Sequence, residues 1–214
     1  ARETVTRHIQ RWRLEKADPT LEVSPPKQPI VFVVEKTVPI RWRRWVKSGI
    51  LEWNRAFEAL GYSDAIEVRQ QTEDNAYGRY DPADARYNFV QWTTMGRPFA
   101  LGPRRADPRT GEILDADIVI DDAFLRAYQY ELEIFGQRTG PWPMGGGESP
   151  PADSPEQWSR QTCADEECLH AHGLTMDLLA MQAQLGADGQ RIPERLLGSL
   201  IKKIVTHEVG HALG

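Results

Sequence analysis

The run Thr206-His207-Glu208-Val209-Gly210-His211-Ala212-Leu213-Gly214 holds the side-chain types that a hydrolytic metal centre needs. His207 and His211 are four positions apart, and on a helix such residues lie about one turn apart on the same face. Both imidazoles can then present a nitrogen to one tetrahedral Zn²⁺. Glu208 is rotated from that face by roughly 100 degrees, so it is expected to stand beside the metal instead of ligating it. There it would take a proton from a water that zinc has made acidic and pass it to the leaving amine of a cleaved peptide.

The same helix offers a plainer explanation. Leu197, Leu200, Ile204, His207 and His211 fall on one stripe, so the two histidines could be core residues with separate polar partners. Against it, Glu208 is a poor core neighbour, and Gly214 extends the pattern to HExxHxxG. In the longer form of that pattern the glycine lets the chain turn sharply and bring a third histidine to the metal. That histidine would lie three residues beyond Gly214, outside the given sequence. With two protein ligands the site is expected to bind zinc weakly, and the chain as given to be inactive. A glycine after a helix is also an ordinary C-cap.

A helix with this motif must be seated on something rigid. Pro193 is expected to start it, with Leu197, Leu200 and Ile204 as its apolar face. Upstream, Ile30-Val31-Phe32-Val33-Val34 has the β-branched and aromatic continuity of a strand buried on both faces. Pro39 opens and Gly61 closes a helix whose Val46, Ile50, Trp53, Phe57 and Leu60 recur at alternating spacings of four and three. Ala65 to Gln71 and Tyr87 to Thr93 alternate like strands on either side of a loop.

Phe99 to Arg104 contains Gly102 and Pro103, which places it at a sheet edge. Behind the turn Asp107-Pro108-Arg109-Thr110-Gly111, the residues Leu114, Ala116, Ile118 and Ile120 alternate as a returning strand. The two read as a hairpin whose outer strand faces solvent. An extended peptide can add to such an edge through main-chain hydrogen bonds, so Ala100, Leu101, Gly102 and Pro103 are the candidate substrate-binding residues. Residues 122–136 and Leu174 to Leu185 read as helices. The Gly-, Pro- and Ser-dense stretch 137–160 reads as a flexible insertion. Residues 1–28 read as a lead-in strand and linker, and 29–214 as one domain.

Composition excludes some classes. A hydrophobic share of 40% and a charged share of 27% are ordinary for a globular chain, and no apolar run approaches the roughly 20 residues that a bilayer requires. A net charge of −5 gives no broad footprint for nucleic acid. Oligomeric state is open. Cys163 and Cys168 with His170 and His172 admit a second zinc site, a short disulfide loop or unpaired thiols. Asp115, Asp117, Asp121 and Asp122 admit a Ca²⁺ site, against the plainer expectation of solvated carboxylates.

The sequence also resembles the metzincin clan, and more closely a group of large bacterial zinc-dependent metalloproteases described chiefly as domains of unknown function. Besides the histidine motif, the similarity is carried by Lys27 to Val34, by Glu52-Trp53-Asn54-Arg55-Ala56-Phe57-Glu58-Ala59-Leu60-Gly61-Tyr62, by Asp84-Ala85-Arg86-Tyr87-Asn88-Phe89-Val90-Gln91-Trp92, and by Asp107-Pro108-Arg109-Thr110-Gly111-Glu112-Ile113-Leu114. It spans most of residues 5–121 and 195–214. The resemblance implies an α+β, zincin-like upper subdomain: a twisted mixed sheet with an antiparallel edge strand, a backing helix and a C-terminal active-site helix. It also implies Zn²⁺ on His207 and His211, Glu208 as general base, a peptide or protein substrate, and a periplasmic or extracellular location. The family's third histidine, Met-turn and primed-side pocket wall would fall beyond Gly214. Two alternatives remain: a catalytically dead module that binds peptides along the edge strand, and a zinc hydrolase acting on something other than peptides.

Overall fold

The computed structural model of the chain describes residues 8–96, 100–126 and 193–214. The chain divides into two compact units, one of residues 1–122 with 195–214 and the other of residues 123–194. In chain order the elements are β1 (Ile30–Val34), α1 (Ile40–Leu51), α2 (Asn54–Ala59), β2 (Ile66–Gln70), a 3₁₀ turn (Ala76–Arg79), β3 (Asn88–Thr93), β4 (Ala100–Leu101), β5 (Arg104–Ala106), β6 (Ile113–Ala116), β7 (Ile118–Asp121) and α3 (Glu194–Leu213). Of the second unit, residues 123–126 are helical, with Ala123 and Leu125 buried. The rest of the helix expected over 122–136, that of Leu174 to Leu185, the stretch 137–160, and Cys163, Cys168, His170 and His172 lie outside the described residues.

Five strands form a mixed, mostly parallel sheet in the order β2-β1-β3-β7-β4. β1 pairs in parallel with β2, Phe32 opposite Val68, and with β3, Val33 opposite Phe89. β3 pairs in parallel with β7, and β4 alone is antiparallel, with Leu101 opposite Val119 at the end of the sheet. β1 therefore has a neighbour on each side, as its unbroken apolar run requires, and Phe32, Val33 and Val34 are almost fully buried. Phe89, Val90, Ile118 and Ile120 continue the core across β3 and β7.

α1 packs on β1 and β2, burying Trp42, Val46, Gly49 and Ile50. The single helix expected from Pro39 to Gly61 is two, with a break at Glu52 and Trp53. At the break the Asn54 side chain acts like a strand: its Oδ1 accepts from Ile66 N (2.8 Å) and its Nδ2 donates to Ile66 O (3.0 Å). α2 consequently serves the start of β2 and buries no residue of its own, which is why Leu60, expected on the packed face, is 71% exposed. Gly61 ends α2 with φ +83°, as expected of a cap glycine.

The expected hairpin is cut in two. β4 pairs with β7 in the main sheet, while β5 and β6 make a separate two-stranded sheet. The joint lies where Pro103 O accepts from Asp117 N (3.0 Å). Proline cannot continue the ladder there. An irregularity between Arg105 and Ala106 then shifts the phase, so that Ile113, Asp115 and Ala116 are buried while Leu114, expected inward, is 58% exposed. Residues 8–28 contain no regular strand and touch the rest through isolated bridges, Arg11 to Glu112 and Ser24 to Tyr62.

Candidate functional site

α3 is seated by one apolar stripe: Leu197, Leu200, Ile201, Ile204, Val205, Val209 and Ala212 are buried. Glu208 belongs to that stripe, at 8% exposed, whereas His207 is half-buried and His211 exposed. The helix is thus turned so that the carboxylate, not the imidazoles, faces inward, and the histidines are not core residues.

The two rings converge. Their Nε2 atoms are 3.0 Å apart and the ring planes meet at 83°. Two nitrogens bound to one tetrahedral zinc at Zn–N distances of about 2.0–2.1 Å lie roughly 3.3 Å apart, so little adjustment separates this pair from a ligand pair. Without a cation the same distance suits a hydrogen bond in which one Nε2 carries the proton. Zinc-fitting nitrogens of the right type and spacing are therefore present. Among the described residues, no group of three or more His, Cys, Asp or Glu converges, so the donor set found there is a pair.

The helix is held from outside along its length. Gly49 and Gly198 let α1 and α3 approach: a Cβ on Gly49 would sit 2.7 Å from Lys202 O, and one on Gly198 would sit 2.1 Å from the Trp45 ring. Thr206 Oγ1 donates to Gly49 O (3.0 Å), and Lys202 pairs with Glu52 at 2.7 Å. Trp53, expected only as an apolar stripe residue, donates from Nε1 to Thr206 O (2.7 Å), the peptide just before His207, and its ring fills the space left by Gly210. At the far end Trp12 Nε1 donates to Ala212 O (3.0 Å), and Arg104 Nη1 to His211 O (2.8 Å). Gly214, at φ +112°, lies against Gln10 O. The sequence signal missed for Trp12 and Trp53 was the indole N–H, which needs an acceptor once the ring packs.

Of the candidate substrate-binding residues, Ala100 and Leu101 form β4, with Leu101 44% exposed. Gly102 follows directly and touches the motif: a Cβ there would sit 2.6 Å from Glu208 O and 3.3 Å from His211 Cβ. Only glycine permits this approach of strand to helix. Pro103 lies at the joint of the split hairpin. The structure thus brings Gly102 to Glu208 and His211.

Among the described residues, the aspartates form no group of three or more carboxylates that could hold a cation. Asp115 is 3% exposed and paired with Arg105, Asp117 Oδ1 accepts from Phe89 N (2.8 Å), and Asp121, fully buried, accepts from Thr93 Oγ1 and Met95 N. Asp115, Asp117 and Asp121 each have their own donors, and the solvated state expected for Asp115 and Asp121 is corrected to a buried one, while Asp122 is half-buried. Desolvation pushes the Asp117 carboxyl up to about 6, helped by the charge of Asp115 and opposed by the Phe89 hydrogen bond and Arg105. Elsewhere, an open depression of about 380 Å³ is lined by Lys36, Thr37, Arg43, Gln71, Thr72 and Glu73, none of them a motif residue. No helix among the described residues is long and apolar enough to cross a membrane. No protein-family model, curated protein or solved structure matches the chain.

Proposed function

We propose that the chain is catalytic machinery of a zinc-dependent metallo-endopeptidase of the metzincin type, with His207 and His211 as two of its metal ligands. The observation that carries this reading is the 3.0 Å approach of the two Nε2 atoms on one helix face, with the buried Glu208 next to His207 in the chain. When bound, Zn²⁺ supplies Lewis acidity: it lets a water lose its proton near neutral pH and polarises a carbonyl.

The chain's own residues do the rest. Glu208, buried on α3, accepts a proton from water and returns it to the departing amine. β4 offers an outer edge with no neighbouring strand among the described residues, and an extended peptide can pair with it. Gly102 keeps that edge close to the Glu208 and His211 backbone, since any side chain at 102 would hold strand and helix apart. Peptides or proteins outside the cytoplasm are the proposed substrates, from the resemblance noted above.

A dead peptide-binding module is the second reading, favoured by the donor set being a pair among the described residues. Casein hydrolysis by the full-length protein, with and without a chelator, separates the two. The protease reading expects chelator-sensitive cleavage and a loss of at least about 100-fold in Glu208→Gln at unchanged zinc content. Cleavage by Glu208→Gln at the parent rate overturns the general-base role. Peptide binding without any cleavage would favour the module.

A further inference from the structure

We infer that Arg104 and Trp12 are positioning residues that set the placement of His211 from outside its helix, an inference that rests on reading His207 and His211 as metal ligands. The last carbonyls of any α-helix have no partner within the helix, and a terminal turn so exposed frays. His211 stands in that last turn. A ligand on a fraying turn would not hold a fixed distance to its partner one turn earlier.

Here Gly214 N reaches His211 O only at 3.3 Å, and the shorter bonds to the last carbonyls come from residues remote in sequence. Arg104 Nη1 donates to His211 O at 2.8 Å, and Trp12 Nε1 donates to Ala212 O at 3.0 Å. The Arg104 charge also lies at the negative end of the helix dipole. Arg104 is itself oriented by Gln10, to whose Oε1 its Nε donates, and Gln10 O closes over Gly214. The segment bearing Gln10 and Trp12 is in turn fixed by Arg11, which donates to Gly111 O (3.0 Å) and accepts from Ile113 N (2.9 Å).

His207 has a separate tether, the Trp53 bond to Thr206 O, so the 3.0 Å gap between the rings depends on two independent anchors. Outer partners of metal ligands commonly change metal affinity 10- to 100-fold when removed, by loosening ligand geometry. Arg104 follows Gly102 and Pro103 in the chain and opens β5, so the anchor of His211 sits just past the joint between the two sheets.

Two readouts test this in the full-length protein. In metal-free protein, Arg104→Ala and Trp12→Phe are expected to speed amide hydrogen exchange at residues 211–214 by about 10-fold. Exchange at residues 200–206 should be unchanged. Zinc affinity, measured by competition with a chromophoric chelator, is expected to fall about 10-fold in each variant. Trp12→Phe keeps the ring and removes only the donor, so it separates the bond from packing. Unchanged exchange, or faster exchange spread evenly along α3, overturns the inference, as does unchanged zinc affinity beside a loss in His211→Ala. If His207→Ala and His211→Ala also leave zinc affinity unaltered, the ligand reading itself fails, and the positioning role fails with it.

Discussion

One distance matters most at the level of single side chains, the 3.0 Å between His207 Nε2 and His211 Nε2. If these nitrogens share a cation, replacing either ring by alanine removes a bond that no neighbour can restore. His207→Ala and His211→Ala are each expected to weaken zinc binding by at least about 100-fold in chelator competition. Asp117 makes a different prediction. Its folded-state value of about 6 lies above the ordinary 3.8, so its contribution to stability is present below about pH 4 and is lost as pH rises through 6. For a half-buried carboxyl, discounted for solvent screening, this elevation amounts to about 1–2 kcal/mol. Asp117→Asn should therefore flatten the decline of urea-unfolding stability between pH 4 and 6 (the bounds set by those two values).

Among the elements, α3 has the most demanding task, because it must present two imidazoles outward while burying the carboxylate between them. Its rotation is set by the apolar stripe and by close approach to α1 at Gly49 and Gly198. Gly198→Ala would place a methyl carbon 2.1 Å from the Trp45 ring, so the helices must separate. The expected cost is about 1–3 kcal/mol in urea denaturation, whereas Ser199→Ala, at an exposed site on the same helix, should change stability by no more than about 0.5 kcal/mol. The split hairpin is the second telling element. By parting β4 from β5 at Pro103, it lets one strand join the main sheet while the next residue, Arg104, reaches the end of α3.

For the molecule as a whole, the sheet, α1 and the terminal helix form one unit. A ligand that bridges His207 and His211 therefore binds the folded state and not the unfolded one, and mass action links the two. Zinc at about 100 times its dissociation constant is expected to stabilise the protein by about 2.7 kcal/mol, raising the thermal midpoint in calorimetry. The increase should vanish in His207→Ala. An undiminished increase in that variant would locate the zinc elsewhere.

The sequence by itself determined the local patterns. A β-branched run, a proline before a helix, a glycine at positive φ and two histidines four apart each encode their own geometry, so β1, the start of α1, the Gly61 cap and the motif helix were legible. Local pattern also placed the stretch around Ala100 and Leu101 at an edge, because the proline that follows lacks the N–H that a central strand needs. Only tertiary structure decided which face of α3 turns inward, for stripes containing 204 and 207 or 205 and 208 are equally periodic until α1 and the sheet choose between them. It likewise decided the exposure of Leu60 and Leu114, through an Asn54 bond to a distant strand and a phase shift at Arg105. The anchors Trp12, Trp53 and Arg104 were not legible either, since a donor's acceptor up to 200 positions away leaves no trace in spacing.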